Sequence, residues 1–355
     1  MKSFNFSPGP SKLPDEVIHK ASEAVIKYEP TNNSILEITH RSKEFEEIIE
    51  KTKESLKFQF SIPDDYKILL LQGGATFQNS LLAYNFPTNS NIGCLVNGTW
   101  GMKTYNDILK VLENVEKYEF NYSQLSSIFK KSFRDFDFLH VTSNETIEGI
   151  QIRNLLEIKN SNLIVDMSSD IGSHKISFKN ISYIYAGAQK NLGIPGVTLC
   201  IIKEDFLNQK NSNPAYLNLS ELVRNNSLLN TPSTFSIYIL NLVLEWMEEM
   251  GGISYFEKKS LHQSNLIYEF LENNKKYFEF HEKSEFRSRS NITFNFKKRE
   301  MTDMFLDAAL KKGIFGIKGY RSIGGVRISL YNSITDEMVN YLLKFTEKFV
   351  TKELK

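Results

Sequence analysis

The chain is poor in cysteine, with two residues in 355, Cys94 and Cys200. Both fall in apolar, strand-like runs, so they are expected to be reduced core residues rather than disulfide partners. Net charge is also scarce, at +1, which leaves no electrostatic case for nucleic acid or a membrane surface. No apolar run approaches the ~18 residues of a membrane-spanning helix. The start, MKSFNFSPGPSKLP, lacks the apolar segment of a signal peptide. Together these absences lead to the expectation of a cytoplasmic protein with no nucleic-acid or membrane partner. No metal site is read from the sequence. The rest is ordinary for a globular chain, 41% hydrophobic and 24% charged, and the length suggests about two domains.

The most informative stretch runs from residue 164 to 196, IVDMSSDIGSHKISFKNISYIYAGAQKNLGIPG. One apolar run ends at Asp166. A second, Ile181 to Tyr185, leads into small residues around Lys190. In α/β proteins buried parallel strands read as short apolar runs, and function collects at their carboxyl ends. A lone Asp in such a place is ordinarily a turn residue, and a lone Lys is ordinarily solvated. Here the lysine sits among Gly and Ala, which allow close approach of a planar ligand. An amine and a carboxylate at neighbouring strand ends suit pyridoxal 5'-phosphate (PLP). The lysine would hold its aldehyde, and the acid would keep its pyridine nitrogen protonated.

Other segments offer matching pieces. Asp15 to Tyr28 and Phe45 to Phe58 read as helices. His40 and Arg41, just before the second, are of a type that holds a dianion. Lys67 to Gln72 reads as a buried strand, followed by Gly73-Gly74-Ala75-Thr76 and an apolar helix, the layout of a phosphate cradle. Asn91 to Asn97 is another strand. It leads to Trp100, read as lying in a Gly-flanked loop where it could stack on a flat ring, with a helix from Asn106 to Leu112. Residues 207–229 read as polar loop. Ser236 to Met250 is a long helix closed by Gly251-Gly252. From about Ile253 the pattern becomes helix, strands, helix. Arg321 lies beside glycines, and Arg327 lies in an alternating strand. An arginine near the lysine would clamp a carboxylate with two parallel hydrogen bonds.

The string YAGAQKNLG, with VDMSSDI upstream, resembles the lysine region of the phosphoserine aminotransferases, PLP enzymes of the class V aminotransferase group. NFSPGPSKLP, ITHRSKEF, QGGATFQ, NGTWG, NETIEG, NTPSTF and GIKGYRSIGGVRISLYN resemble further family motifs in the same order. The resemblance implies an α/β fold of PLP-dependent transferase type I: a large domain with a mainly parallel seven-stranded sheet flanked by helices, and a small α+β C-terminal domain. The division would be an arm at 1–14, the PLP domain at 15–252 and the small domain at 253–355. It implies Lys190 and Asp166 as catalytic residues. Ala75, Thr76, Trp100, Thr146, Gln189, Asn230 and Thr231 would join them in holding the cofactor. His40, Arg41, Arg321 and Arg327 would hold substrate, with Arg327 on the α-carboxylate and Arg321 near the distal phosphate. His40, Arg41, Asn230 and Thr231 would serve a neighbouring subunit, giving a homodimer with the active site at its interface. The implied reaction passes the amino group of L-glutamate to 3-phosphohydroxypyruvate, yielding O-phospho-L-serine and 2-oxoglutarate in serine biosynthesis. Related enzymes also accept the phosphohydroxythreonine pair.

The sequence departs from the family at Tyr320, where a histidine is usual, and in the loop Asn191 to Gly196. Tyr320 is the main support for a rival, an aminotransferase for a small unphosphorylated acid of the serine or alanine–glyoxylate type. A non-catalytic PLP-binding protein is a second rival. A cysteine desulfurase is disfavoured, because Gln189 precedes Lys190 and Cys200 falls inside a strand.

Overall fold

The short apolar runs assemble into one sheet. In the computed structural model, which describes residues 3–207, 212–281 and 284–353, its strands are β1 (Tyr66–Leu71), β2 (Ile92–Val96), β3 (Val115–Glu119), β4 (Phe138–Thr142), β5 (Leu163–Asp166), β6 (Ile181–Gly187) and β7 (Thr198–Lys203). Their order across the sheet is β1-β7-β6-β5-β4-β2-β3, with β7 antiparallel to both neighbours and every other pairing parallel. The inner strands β2, β4, β5 and β6 are buried along their whole length, as strands covered on both faces must be.

Helices α1 (Asp15–Ile26), α2 (Lys43–Phe60), α3 (Gly74–Asn85), α4 (Thr99–Leu109) and α5 (Thr234–Glu249) flank this sheet. One face packs under α3 and α4, through Leu81, Leu82 and Ile108 against Ile164, Tyr183 and Tyr185. The other packs α1, α2 and α5 against Val165, Ile184 and Leu199. Helix α5 ends at Glu249. Gly251, at φ +107°, turns the chain into α6 (Gly252–Asn273). Cys94 and Cys200 are free thiols buried in β2 and β7, and burial pushes both up to about 12.

A second core lies toward the C-terminus. The antiparallel strands β8 (Phe278–Phe280), β9 (Asn291–Phe296) and β10 (Val326–Ser329) form it with α6, α7 (Glu300–Lys311) and α8 (Asp336–Glu353). Phe4 and Phe6 belong to this core. The two-residue strand at Phe4–Asn5 pairs in parallel with Ile314–Phe315.

Two stretches differ from the sequence reading. Residues 212–229 are not all loop: Leu219–Arg224 is a short helix, because Asn218 Oδ1 accepts from Ser220 N and Glu221 N as an N-cap. The adjoining residues 208–211 lie outside the described residues. The helix expected from Asn106 begins at Thr99 instead.

Candidate active site

Asp166 closes β5, in register with Thr142 on β4 and Tyr185 on β6. Alternation places its side chain on the face shared with Ile164, beneath α3 and α4. It is 9% exposed, and its Oδ1 accepts from Ser168 N at 2.8 Å. Burial raises its pKa, and the nearby Lys190 is the largest influence in the other direction.

Strand β6 ends at Gly187, and Lys190 stands in the turn that follows. Its Nζ donates to Thr146 Oγ1 at 3.2 Å and lies 6.0 Å from the centre of the Trp100 ring. Burial lowers the pKa of the amine, while Asp166, Glu145 and Asp170 pull it up. Two distant segments hold this turn. Ser11 donates its N–H to the Gln189 carbonyl at 2.9 Å and its hydroxyl to the Lys190 carbonyl. From the other side Asn332 N donates to Asn191 Oδ1 at 2.9 Å.

Thr146 joins the lysine to the second core. Its carbonyl accepts from Arg327 Nη1 at 3.4 Å. Arg327 is 7% exposed, and its Nε has no hydrogen-bond partner among the described residues. Its guanidinium therefore keeps donors for an anion within one residue of Lys190.

Trp100 is not in a loop. It is the second residue of α4. The flanking Gly98 and Gly101 suggested irregular backbone, but carboxylates from a distant turn cap the helix. Glu145 accepts from Trp100 N at 3.0 Å and Gly101 N at 2.7 Å, and Glu148 accepts from Thr99 N at 2.9 Å. The indole Nε1 is buried with no partner among the described residues.

Helix α3 packs beside α4 on the same face of the sheet, Asn79 meeting Thr104 and Asp107. Gly73 and Gly74 both have positive φ, +94° and +66°, and no side chain among the described residues caps the helix start. A Cβ on Gly74 would meet nothing within 4 Å. The Gly74 Cβ position thus opens onto free space at the start of the turn that contains Ala75 and Thr76.

The remaining candidates lie apart. Arg321 is exposed, on a loop closed by Gly319 N donating to Gly325 O at 2.9 Å and Gly324 N to Tyr320 O at 2.7 Å. His40 and the exposed Arg41 precede α2, and Asn230 and Thr231 are exposed. The Thr231 carbonyl accepts from Gln72 Nε2 at 3.0 Å, beside the end of β1. The polar groups acting on the Lys190 amine are Thr146, Asp166, Glu145, Asp170 and Arg327, and include none of these five. Two neighbours were not singled out from sequence. Asp170 is fully buried and accepts from Ser143 Oγ at 2.6 Å and Gln151 Nε2 at 3.1 Å. Glu145 is fully buried too. The available signal was a run of polar residues, SNET, directly after an apolar strand.

A profile of the class V aminotransferases matches residues 3–342, and the chain belongs to that family of pyridoxal-phosphate-dependent enzymes. Curated phosphoserine aminotransferases are similar to the chain along nearly its whole length. That of Bacillus subtilis (strain 168) is 39% identical, and that of Lactococcus lactis subsp. cremoris (strain MG1363) 37%, each over 98% of both chains. The phosphoserine aminotransferase structure from Bacillus circulans subsp. alkalophilus superposes with a TM-score of 0.92 at 32% identity, covering 98% of both chains. An alanine–glyoxylate aminotransferase from Nostoc sp. reaches a TM-score of 0.77 at 16% identity, a likeness of fold alone.

The residues present fit the family's cofactor. An amine and a buried carboxyl stand at adjacent strand ends, an indole faces the amine, and an uncapped helix start offers bare amides to an anion. Thr142 and Thr198 add buried hydroxyls without partners among the described residues.

Proposed function

We propose that this chain transfers the amino group of L-glutamate to 3-phosphohydroxypyruvate, releasing 2-oxoglutarate and O-phospho-L-serine. The observation that carries the reading is Thr146, which receives Lys190 on its hydroxyl and Arg327 on its carbonyl. A carboxylate clamp is thereby fixed beside the amine that moves the α-proton.

Bound here, PLP supplies a carbonyl for amino-group exchange and a ring that accepts the electron pair left by a departing α-proton. In our reading Lys190 Nζ takes that proton and returns it. Burial favours the neutral amine, the form that can act as a base. Asp166 would hold the ring nitrogen protonated, and Trp100 would cover the ring. The first turn of α3, with Ala75 and Thr76, would receive the cofactor phosphate, with Thr146 and Gln189 also holding the cofactor. Arg327 binds the α-carboxylate common to both substrates, and Arg321 supports the distal anion.

Arg41, Asn230 and Thr231 are exposed and His40 is half-buried, and none of the four is a polar neighbour of the Lys190 amine, which supports a homodimer in which they complete the partner's site. We also propose the division into arm, PLP domain and small domain at residues 14 and 252, and a cytoplasmic location. No helix among the described residues is long and apolar enough to cross a membrane.

The test is a half-reaction followed by absorbance. The PLP-loaded protein is expected to convert to its amino form with O-phospho-L-serine and with L-glutamate but not with L-serine. Lys190→Ala should lack the lysine-linked cofactor band. Conversion by L-serine with phosphoserine inert would move the assignment to an unphosphorylated substrate.

A further inference from the structure

We propose that Glu145 is a positioning residue of this enzyme: its buried carboxylate fixes the first turn of α4, and with it the Trp100 ring, against Lys190. The proposal deepens the reading above, since it rests on Trp100 facing the cofactor.

The geometry is specific. Glu145 is 0% exposed, and its two oxygens divide the work, Oε2 accepting from Trp100 N and Oε1 from Gly101 N. A local Ser, Asp or Asn at the cap position would satisfy such amides at lower cost than a buried charge. That position is Gly98 instead, and a Cβ there would lie 2.6 Å from Glu145 Cδ and 2.6 Å from Glu148 Oε2. At Gly101 a Cβ would lie 3.2 Å from Glu145 Oε1. The two glycines thus make room for a carboxylate from another segment. Glu145 is next to Thr146, which receives the lysine. One turn of chain therefore sets both the amine and the ring facing it. Burial, reinforced by Glu148 in the same turn, pushes Glu145 up to about 8, with Asp166 at the end of β5 adding to the rise. Lys190, from the turn after β6, is the amine on which Glu145 acts, raising a pKa that burial lowers.

The chain has two tryptophans, so a Trp246→Phe background makes Trp100 the sole reporter. We would measure acrylamide quenching and emission of Trp100 in cofactor-free protein across pH 6 to 10, and PLP affinity by titration. Glu145→Gln keeps the shape but turns one acceptor into a donor. Above pH 8, where Glu145 is charged, it is expected to raise Trp100 quenching and to weaken PLP binding roughly tenfold, the size of one hydrogen bond to a charged group. The background protein should show an emission step near pH 8, with the carboxyl neutral below it and charged above. The Gln variant, which retains Glu148, Asp166 and Lys190, should lack that step. Glu148→Gln, which releases Thr99 but not Trp100, should leave quenching near the background value. Glu145→Asp keeps the charge one methylene further back, so it should keep the pH step with displaced Trp100, and it serves if the Gln variant does not fold by circular dichroism. Unchanged quenching and affinity in Glu145→Gln or Glu145→Asp, or an equal effect from Glu148→Gln, would overturn the proposal. Failure of the parent to bind PLP while Trp100 responds as described would count against the cofactor reading and leave the positioning intact.

Discussion

Arg327 keeps an unshared Nε inside the protein, and an unsatisfied buried donor is costly unless a ligand arrives to use it. Its planar fork, rather than its charge alone, is what a carboxylate needs. Arg327→Lys is therefore expected to lower kcat/KM by roughly 10- to 100-fold for both L-glutamate and O-phospho-L-serine, with Tm changed little. Steady-state kinetics with both donors checks this, and a loss confined to one donor would refute a shared α-carboxylate site. At this scale the sequence was informative where chemistry is tied to a strand end. Asp166 and Lys190 stand out because each follows an apolar run, and Arg327 because it interrupts one. Glu145 and Asp170 do not stand out, since a carboxylate in a polar string looks solvated. Their burial comes from segments 20 to 45 residues away, such as Ser143 on Asp170 and the Trp100 amide on Glu145, and local pattern carries no record of such contacts.

Among the elements, α3 depends on its two opening glycines. At Gly73, φ is +94°, and a Cβ would stand 2.5 Å from Phe77 Cβ. Both the strain of a side chain at that φ and the clash would tilt the first turn, whose amides we assign to the cofactor phosphate. Gly73→Ala is expected to cost about 1–3 kcal/mol of stability and to weaken PLP binding. Thermal unfolding with and without PLP checks both, the variant gaining less from the cofactor than the parent. Strands β1, β2, β5 and β6 were legible because continuous apolar runs survive as buried strands with only small shifts of their ends, whereas β3, VEKYE, carries no such run. Helix α4 was read too short, and Trp100 was assigned to a loop, for a single physical reason. A helix start is recognised by a capping side chain next to it, and here the caps are 45 and 49 residues further along the chain. The short helix Leu219–Arg224 shows the converse, because its Asn218 cap is local and was there to be read.

For the whole molecule, what matters is which surface completes the site. Asn230 and Thr231 were read as site residues from resemblance alone, and His40 and Arg41 from resemblance added to a basic pair before a helix; none of the four is a polar neighbour of the Lys190 amine within one chain. Sequence does not say which subunit a side chain serves, since that is decided by packing between copies. If the dimer is as proposed, Lys190→Ala and Arg41→Ala chains carry defects in different halves of a shared site. Mixing the two inactive proteins under conditions of subunit exchange should restore about a quarter of wild-type activity, from mixed dimers with one intact site. No recovery, with exchange shown by a mass tag, would place Arg41 in its own chain's site. The lysine turn also has an unusual dependence on the order in which the chain is made. Ser11 and the Phe4–Asn5 strand leave the ribosome first, yet their partners at Gln189 and Ile314 follow much later. At ordinary rates of synthesis the arm waits on the order of tens of seconds for its mate. The catalytic turn thus acquires its last restraint, from Asn332 to Asn191, only once residue 332 has been made, so a chain stopped short of it cannot carry a finished centre.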